Sequence, residues 1–249
     1  MKIATWNVNG IRARVNDVAA FVEREQPDIL CLQELKATPE QIPDPLLLLP
    51  GYWCYWHGMK GYSGVGLHVR RGFTADQPRF LHPEFDAETR VVVADIGDLS
   101  VASVYVPNGG RDFGAKIGFM TAMCGYVAAA RAISRRLVIC GDLNITRTPL
   151  DVHPRERNPT LVGQRSDERA LFQRLLDEGA LHDVGREKDP DNEELFTWWA
   201  PWRNMRQRNI GWRLDYILAP GALAERATSC VSMRETGTSD HAPVVATFD

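Results

Sequence analysis

Arg90-Val-Val-Val-Ala-Asp-Ile-Gly-Asp-Leu-Ser-Val-Ala-Ser-Val-Tyr-Val106 reads as two strands, Arg90–Ile96 and Leu99–Val106, with Gly97-Asp98 as the tight turn between them. The next segment, from about Asp112 to Ser134, places Phe113, Ile117, Met120, Cys124 and Val127 at alternating spacings of four and three, the period of one apolar helical face. A short buried strand follows, Leu137–Cys140, and it ends in Gly141-Asp142. A hairpin feeding a helix and then another strand predicts α+β layers rather than a purely parallel sheet.

The same alternation extends in both directions. Upstream, the pattern predicts a strand at Lys2–Val8, a helix from Ile11 to about Glu25 stopped near Pro27, a buried strand at Ile29–Gln33, and hairpin-like strands at Trp53–Trp56 and Gly64–Val69. Downstream come a long polar, Pro-punctuated loop from Thr146 to Gln164, a helix over about Ser166–Glu178, and strands at Phe196–Trp198, Arg213–Leu218 and Val244–Phe248. No linker or low-complexity segment divides the 249 residues, so a single domain over 1–249 is expected.

A formal net charge of -3 excludes binding of nucleic acid by bulk basicity, although a carboxylate-rich metal site offsets local basic patches. The basic side chains are mostly Arg, whose planar fork suits phosphate. Cys31, Cys54, Cys124, Cys140 and Cys230 are scattered without a CxxC pair, which argues against a zinc site or a disulfide framework. The opening Met1-Lys-Ile-Ala-Thr-Trp is strand-like rather than secretory, and no apolar run reads as a membrane span. A cytoplasmic setting, nucleoid-associated in a prokaryote, and no membrane partner are expected.

Polar residues gather where strands end: Asn7 and Asn9, Glu34, Tyr105 and Asn108, Asp142 and Asn144, and Asp240-His241. A carboxylate or amide just past a buried strand is held rigidly at a sheet's rim. Hard oxygen ligands favour Mg²⁺ or Mn²⁺. Glu34 can bind metal, Asp142 can orient or deprotonate water, and Asn7, Asn144, Tyr105 and a charged His241 can donate to phosphate. Each has a plainer alternative: a turn-forming Asn, a solvated Glu, a capping Asp-His pair, a core Tyr with a wet tip. Five coincidences in one chain tip the balance toward a metal–phosphate site.

The motifs WNVNGIRAR (6–14), DILCLQELK (28–36), GYSGVGL (61–67), SVYVPNGG (103–110), GDLNIT (141–146), FTWW (196–199), GWRLDYIL (211–218) and TSDHAPV (238–244) run from first strand to last. In that order they resemble the exonuclease III family of abasic-site endonucleases, within the endonuclease/exonuclease/phosphatase superfamily. The resemblance implies a deoxyribonuclease I-like αββα sandwich of four layers, two mixed β-sheets flanked by helices. It implies a metal pocket around Asn7, Glu34, Asp142, Asn144, Asp240 and His241, with Asn9 nearby, and Mg²⁺ as cofactor with Mn²⁺ as substitute. Asp142 resembles the residue that positions the attacking water, with Asn144 beside it; His241 resembles the phosphate-contacting histidine, Asp215 the carboxylate that orients it, and Tyr105 a tyrosine on the scissile phosphate.

For DNA contacts, Arg111 resembles a residue reaching into the duplex opposite a lesion, and Trp198, Trp212 and Leu214 the walls of a pocket for a baseless sugar. Core packing is the plainer reading of the tryptophans, and for Trp199 the preferred one. Lys36, Tyr62, Glu88 and Arg90 match in supporting roles; Asp151 in the 146–164 loop has no clear counterpart. Residues 200–208, with Arg203, Arg206 and Arg208, read equally as a DNA-facing loop or a solvated surface. The implied activity is a class II abasic-site endonuclease cutting 5′ to the lesion and leaving a 3′-hydroxyl, accompanied by 3′→5′ exonuclease and 3′-phosphatase activity. Double-stranded DNA with abasic sites or damaged 3′ ends is the expected partner of a monomer. Two rivals are a phosphodiesterase of the same fold acting on RNA, lipid or inositol phosphates, and a binding protein that has lost the chemistry. GWRLDYIL argues against the first, and the intact polar set against the second.

Overall fold

A computed structural model describes the whole chain, Met1–Asp249. In order the elements are β1 (Lys2–Asn7), α1 (Val15–Glu25), β2 (Ile29–Gln33), α2 (Asp44–Leu47), β3 (Tyr52–Met59), β4 (Tyr62–Arg70), β5 (Arg79–Leu81), β6 (Val91–Ile96) and β7 (Leu99–Tyr105). They continue with α3 (Phe113–Ala132), β8 (Arg136–Asp142), α4 (Ser166–Gly179), β9 (Leu181–Asp183), α5 (Val184–Lys188), β10 (Asp215–Pro220), α6 (Gly221–Ala224), β11 (Ala227–Ser232) and β12 (Val244–Phe248).

The strands form two six-stranded sheets, ordered β11-β12-β1-β2-β4-β3 and β5-β6-β7-β8-β10-β9. Each has one central parallel pair, β1 with β2 and β7 with β8, and antiparallel neighbours elsewhere. Successive residues alternate between cores, as a period of two requires. Ile29 and Cys31 of β2, Val138 and Cys140 of β8, and Ile217 of β10 enter the core between the sheets. Leu30 and Leu32 face outward beneath α1 and α2, and Ile139 and Leu218 beneath α3 and α4. This is the expected αββα sandwich, and it explains why these strands read as continuous apolar runs: both faces are covered.

The structure departs from the sequence reading in several places. The helix from Ile11 begins as a short 3₁₀ turn at Ile11–Ala13, and α1 proper starts at Val15. Phe196–Trp198 is no strand; Trp198 makes single bridges to Trp212 and His241. Strands β5, β9 and β11 and the short helices α2, α5 and α6 lie where no element was expected. The buried face of α3 is rotated from the expected one: Lys116, Phe119, Met120, Met123, Cys124 and Val127 are buried, whereas Phe113 and Ile117 are only half so. Contrary to the expectation of no membrane-length run, α3 is long and apolar enough to cross a bilayer. Its buried face, however, packs with α4 on the second sheet.

The rotation of α3 places a lysine in the core. Lys116 and Glu168 are both fully buried and form an ion pair at 2.5 Å. The Lys116 ammonium also donates to the carbonyls of Asn144 (2.7 Å) and Asn108 (3.1 Å), while Glu168 accepts from Gly163 N–H at 2.7 Å. The pair therefore fixes both ends of the 146–164 loop, whose termini meet through Thr146 N–H and Gly163 C=O at 2.7 Å. Removing one partner strands a buried charge, so Lys116→Met is expected to cost about 3–5 kcal/mol in urea denaturation. Lys116→Met/Glu168→Gln should recover much of that loss. A single variant as stable as the parent would remove the pair from this role.

Candidate active site

All the strand ends singled out in the sequence meet at one rim. The C-terminal ends of β1, β2, β7 and β8 lie beside the N-terminal starts of β10 and β12, because register pairs Asn7 with Gln33, Tyr105 with Asp142, and Asp142 with Asp215. A cleft of about 430 Å³ opens there, lined by Glu34, Tyr105, Asp142, Asn144, Asp240 and His241 on its polar side and by Trp198, Trp212 and Leu214 on the other. A larger cavity, about 560 Å³ between residues 189–199 and β11, holds none of these groups. Arg111 does not line the cleft; it is exposed on the loop beyond Asn108.

Asn7 is fully buried, and its Nδ2 donates to Glu34 Oε2 and to Asp142 Oδ2, each at 2.9 Å. Both amide hydrogens are thereby used, which leaves none for a phosphate, contrary to the expectation that Asn7 donates there. Asn144 is similarly committed: its backbone N–H donates to Asp142 Oδ1 (2.8 Å) and its amide to the Val106 carbonyl (2.9 Å) and Asp142 Oδ2 (3.3 Å). Lys36 forms an ion pair with Glu34 Oε1 at 2.9 Å and donates to Asn9 Oδ1 at 2.6 Å. Asn9 in turn holds Asp240 Oδ1 at 2.8 Å, and Trp198 Nε1 donates to Asp240 Oδ2 at 3.0 Å. Glu34, Asn9 and Asn144 all adopt left-handed backbone (φ 59°, 44° and 52°), an uncommon conformation for residues with side chains.

His241 lies between carboxylates. Its Nδ1 is 2.8 Å from Asp215 Oδ2 and its Nε2 is 3.8 Å from Asp142 Oδ2. Thr197 Oγ1 donates to the same Asp215 oxygen at 2.6 Å and accepts from the N–H groups of Leu214 and Asp215. Burial alone would discharge the imidazole, but Asp215 and Asp142 outweigh it and raise His241 to about 10. Burial raises Asp142 to about 7 despite the neighbouring His241 charge. Burial, with Glu34 and Asp142 adding to it, also raises Tyr105, so the phenol keeps its proton. Burial would raise Asp240 too, yet the His241 charge and the two donors above hold its carboxyl below the ordinary value.

A hard divalent cation fits this donor set. Glu34, Asp142 and Asp240 offer carboxylate oxygens around one cleft, and an ammonium already stands against Glu34. His241, with both nitrogens facing carboxylates and its charge retained, suits hydrogen-bond donation better than ligation.

Some contributors were not anticipated. Thr197 sits within a quoted motif, but nothing in its spacing ties it to Asp215. Asn108 was singled out at its strand end without a partner; its Nδ2 donates to Asn144 Oδ1 at 3.3 Å. Asp151 now has a place: it accepts from Arg213 and Arg186 at 2.8 Å each and so anchors the 146–164 loop rather than the cleft. Arg206 of the basic 200–208 stretch turns inward, capping the carbonyls of Arg234, Thr236 and Ser239, whereas Arg203 and Arg208 stay exposed.

The histidine has a measurable signature. A folded-state value raised above the unfolded one contributes stability that is complete below about 6.5 and lost as pH rises through about 10. In EDTA, urea denaturation should therefore show stability falling over that window, and His241→Gln should flatten the slope. An identical slope in the variant would mean that the proton is held elsewhere.

The geometry can be set beside known proteins. The model of the Endonuclease/Exonuclease/phosphatase family matches residues 4–241. Zebrafish DNA repair nuclease APEX1 is 34% identical over 98% of this chain and 81% of its own length. Recombination repair protein 1 of Drosophila melanogaster is 33% identical over the whole chain, which spans only 37% of that protein. Among solved structures, an AP endonuclease from Archaeoglobus fulgidus superposes with a TM-score of 0.89 at 31% identity, covering 100% of this chain and 99% of that one. A 3′-5′ exonuclease from Neisseria meningitidis superposes with 0.90 at 34% identity, covering 100% of both. With that match, that fold and that rim of carboxylates, the chain belongs to the Endonuclease/Exonuclease/phosphatase family and is a nuclease of the exonuclease III type.

Proposed function

We propose that the protein is a Mg²⁺-dependent DNA repair phosphodiesterase that cuts double-stranded DNA 5′ to an abasic residue and leaves a 3′-hydroxyl. It acts as a cytoplasmic monomer and also trims damaged 3′ ends, as a 3′→5′ exonuclease and 3′-phosphatase. The observation that carries the reading is the juxtaposition in one cleft of the His241–Asp142 pair with an apolar wall. Trp198 and Trp212 meet edge to face, ring centroids 5.6 Å apart, and Leu214 completes the wall. Such a wall accepts the face of a deoxyribose, and a nucleotide still carrying its base does not fit the same space.

Glu34, with Asp142 and Asp240 nearby, would hold Mg²⁺, which supplies charge neutralisation at the phosphate when bound. Asp142, poised near neutrality by burial, accepts the proton of the attacking water. Asn144 holds that carboxylate still. Charged His241, oriented by Asp215 and Thr197, donates to a non-bridging phosphate oxygen as negative charge grows there. Tyr105 adds a second donor, and Arg90, whose guanidinium lies 4.9 Å over its ring, steadies it. Exposed Arg111 reaches the phosphate backbone or the opposite strand. Manganese substitutes for magnesium because it accepts the same oxygen ligands. The AP endonuclease and 3′-5′ exonuclease named above support this choice of substrates.

A labelled duplex carrying one stable abasic analogue tests the reading. Cleavage 5′ to the analogue is expected in Mg²⁺ and not in EDTA, with a 3′-hydroxyl on the product. Glu34→Ala should lower turnover by orders of magnitude; a loss smaller than about tenfold, roughly 1.4 kcal/mol of barrier, removes Glu34 from the essential set. An intact analogue strand after incubation with folded protein in Mg²⁺ overturns the abasic-site reading.

A further inference from the structure

A second group of imidazole and carboxylate side chains lies outside the cleft, where the edges of the two sheets meet. His57 is on β3, the last strand of the first sheet, and His82 and Asp86 follow β5, the first strand of the second. One donor atom from each of the three lies within 4.8 Å of the others. Asp86 Oδ2 is 2.6 Å from His57 Nε2 and 3.6 Å from His82 Nδ1, and the two imidazole rings face each other with centroids 3.8 Å apart.

The cluster is built rather than incidental. Asp86 Oδ1 accepts from the backbone N–H groups of Arg90 (2.7 Å) and Val91 (2.9 Å), which fixes the carboxylate and turns Oδ2 toward both rings. Tyr55 OH is 2.9 Å from His82 Nε2 and so sets the orientation of that ring. On the other sheet, the β3–β4 register shifts between His57 and Met59, the kind of irregularity that re-aims a side chain. The Asp86 carboxylate is shielded, while both rings keep part of their surface open to water.

We propose that His57, His82 and Asp86 form a transition-metal site, distinct from the catalytic cleft, that takes Zn²⁺ and clasps the edge strands of the two sheets. Two imidazoles and one carboxylate are a borderline set that selects zinc over magnesium, and the open side of His82 leaves a fourth position for water. Donors around a tetrahedral zinc stand about 3.3 Å apart, so on binding His57 and Asp86 separate from 2.6 Å and the two rings, now 3.8 Å apart at their centroids, spread so that their nitrogens converge on the ion. The His82 Nδ1 that takes the metal now lies 3.0 Å from the Val91 carbonyl; on binding it carries no proton, and Nε2–H donates to Tyr55 instead. The clasp also bears on the cleft, since Asp86 secures the backbone of Arg90, whose side chain stands over Tyr105 and donates to Tyr62 OH at 2.7 Å.

The test uses Zn²⁺ alone on EDTA-treated, desalted protein in saturating Mg²⁺, with Glu34→Ala as the common background so that zinc held by the cleft is weakened and cancels between parent and variant. One equivalent of zinc is expected by equilibrium dialysis, with a rise in Tm of about 5 °C or more at a hundredfold excess over Kd. His82→Gln, a surface change that leaves folding intact, should abolish both. Zinc-soaked crystals should show an anomalous peak between the two rings. Unchanged stoichiometry and Tm shift in His82→Gln, or an anomalous map without that peak, overturns the site.

Discussion

One side-chain amide joins the two halves of this molecule at its chemistry. Asn7 belongs to the first sheet, and its nitrogen donates at once to Glu34 of that sheet and to Asp142 of the second. Two carboxylates drawn so close would repel without a donor between them, and a donor that left either one unpaired would cost more than it stabilised. Beneath it, Gln33 donates to Ser103 across the sheets at 3.0 Å, and Ser103 donates to the Leu32 carbonyl at 3.2 Å. The sandwich is thus stitched by polar contacts at the rim that carries the site. The shared core between the sheets is apolar, with Cys31, Cys140 and Ile217 in it. A one-residue slip of any central strand would turn its apolar set outward and scatter the rim as well.

Strain and rigidity meet at the same place. Glu34 and Asn9 sit in left-handed backbone, and the surrounding chain holds them there: Gly10 N–H donates to the Glu34 carbonyl at 2.8 Å and Leu35 N–H to the Gly64 carbonyl at 3.1 Å. Left-handed conformations of this kind cost on the order of 1–3 kcal/mol each and persist only when neighbours over-determine them. Gly141 shows the opposite device. A Cβ there would come within 1.9 Å of the Val104 carbonyl, so only glycine lets β7 and β8 pair just before Asp142. The carboxylate therefore leaves the sheet at a fixed height and angle.

Much of this was legible because the strongest sequence signals are buried strands that stop in a polar residue. Ile29–Gln33 and Val244–Phe248 read to the residue, since both faces of those strands are apolar. Glu34, Asp142, Asn144 and Asp240-His241 then fell at the right ends. Weaker local signals failed: β5 and β9 have only three residues, too few to show a period, and in Phe196–Trp198 the apolar residues serve a small core (Phe196) and the cleft wall (Trp198), with Trp198 making only single bridges. The face of α3 was misjudged because a lysine does not count as buried until its partner, Glu168, is known to be opposite. Arg206 was read as surface for the same reason, since the carbonyls it caps lie about thirty residues away. Contacts distant in sequence decide these cases, and local pattern is silent about them.

The most direct test of the joint at Asn7 is the turnover of Asn7→Leu on an abasic-analogue duplex in saturating Mg²⁺, in protein whose circular dichroism matches the parent. Leucine keeps the volume and removes both donors. A loss of about a hundredfold or more is expected, comparable to the removal of a preorganised donor from other active sites. Turnover within a few fold of the parent would contradict the account, because Glu34 and Asp142 would then hold their places without the amide between them.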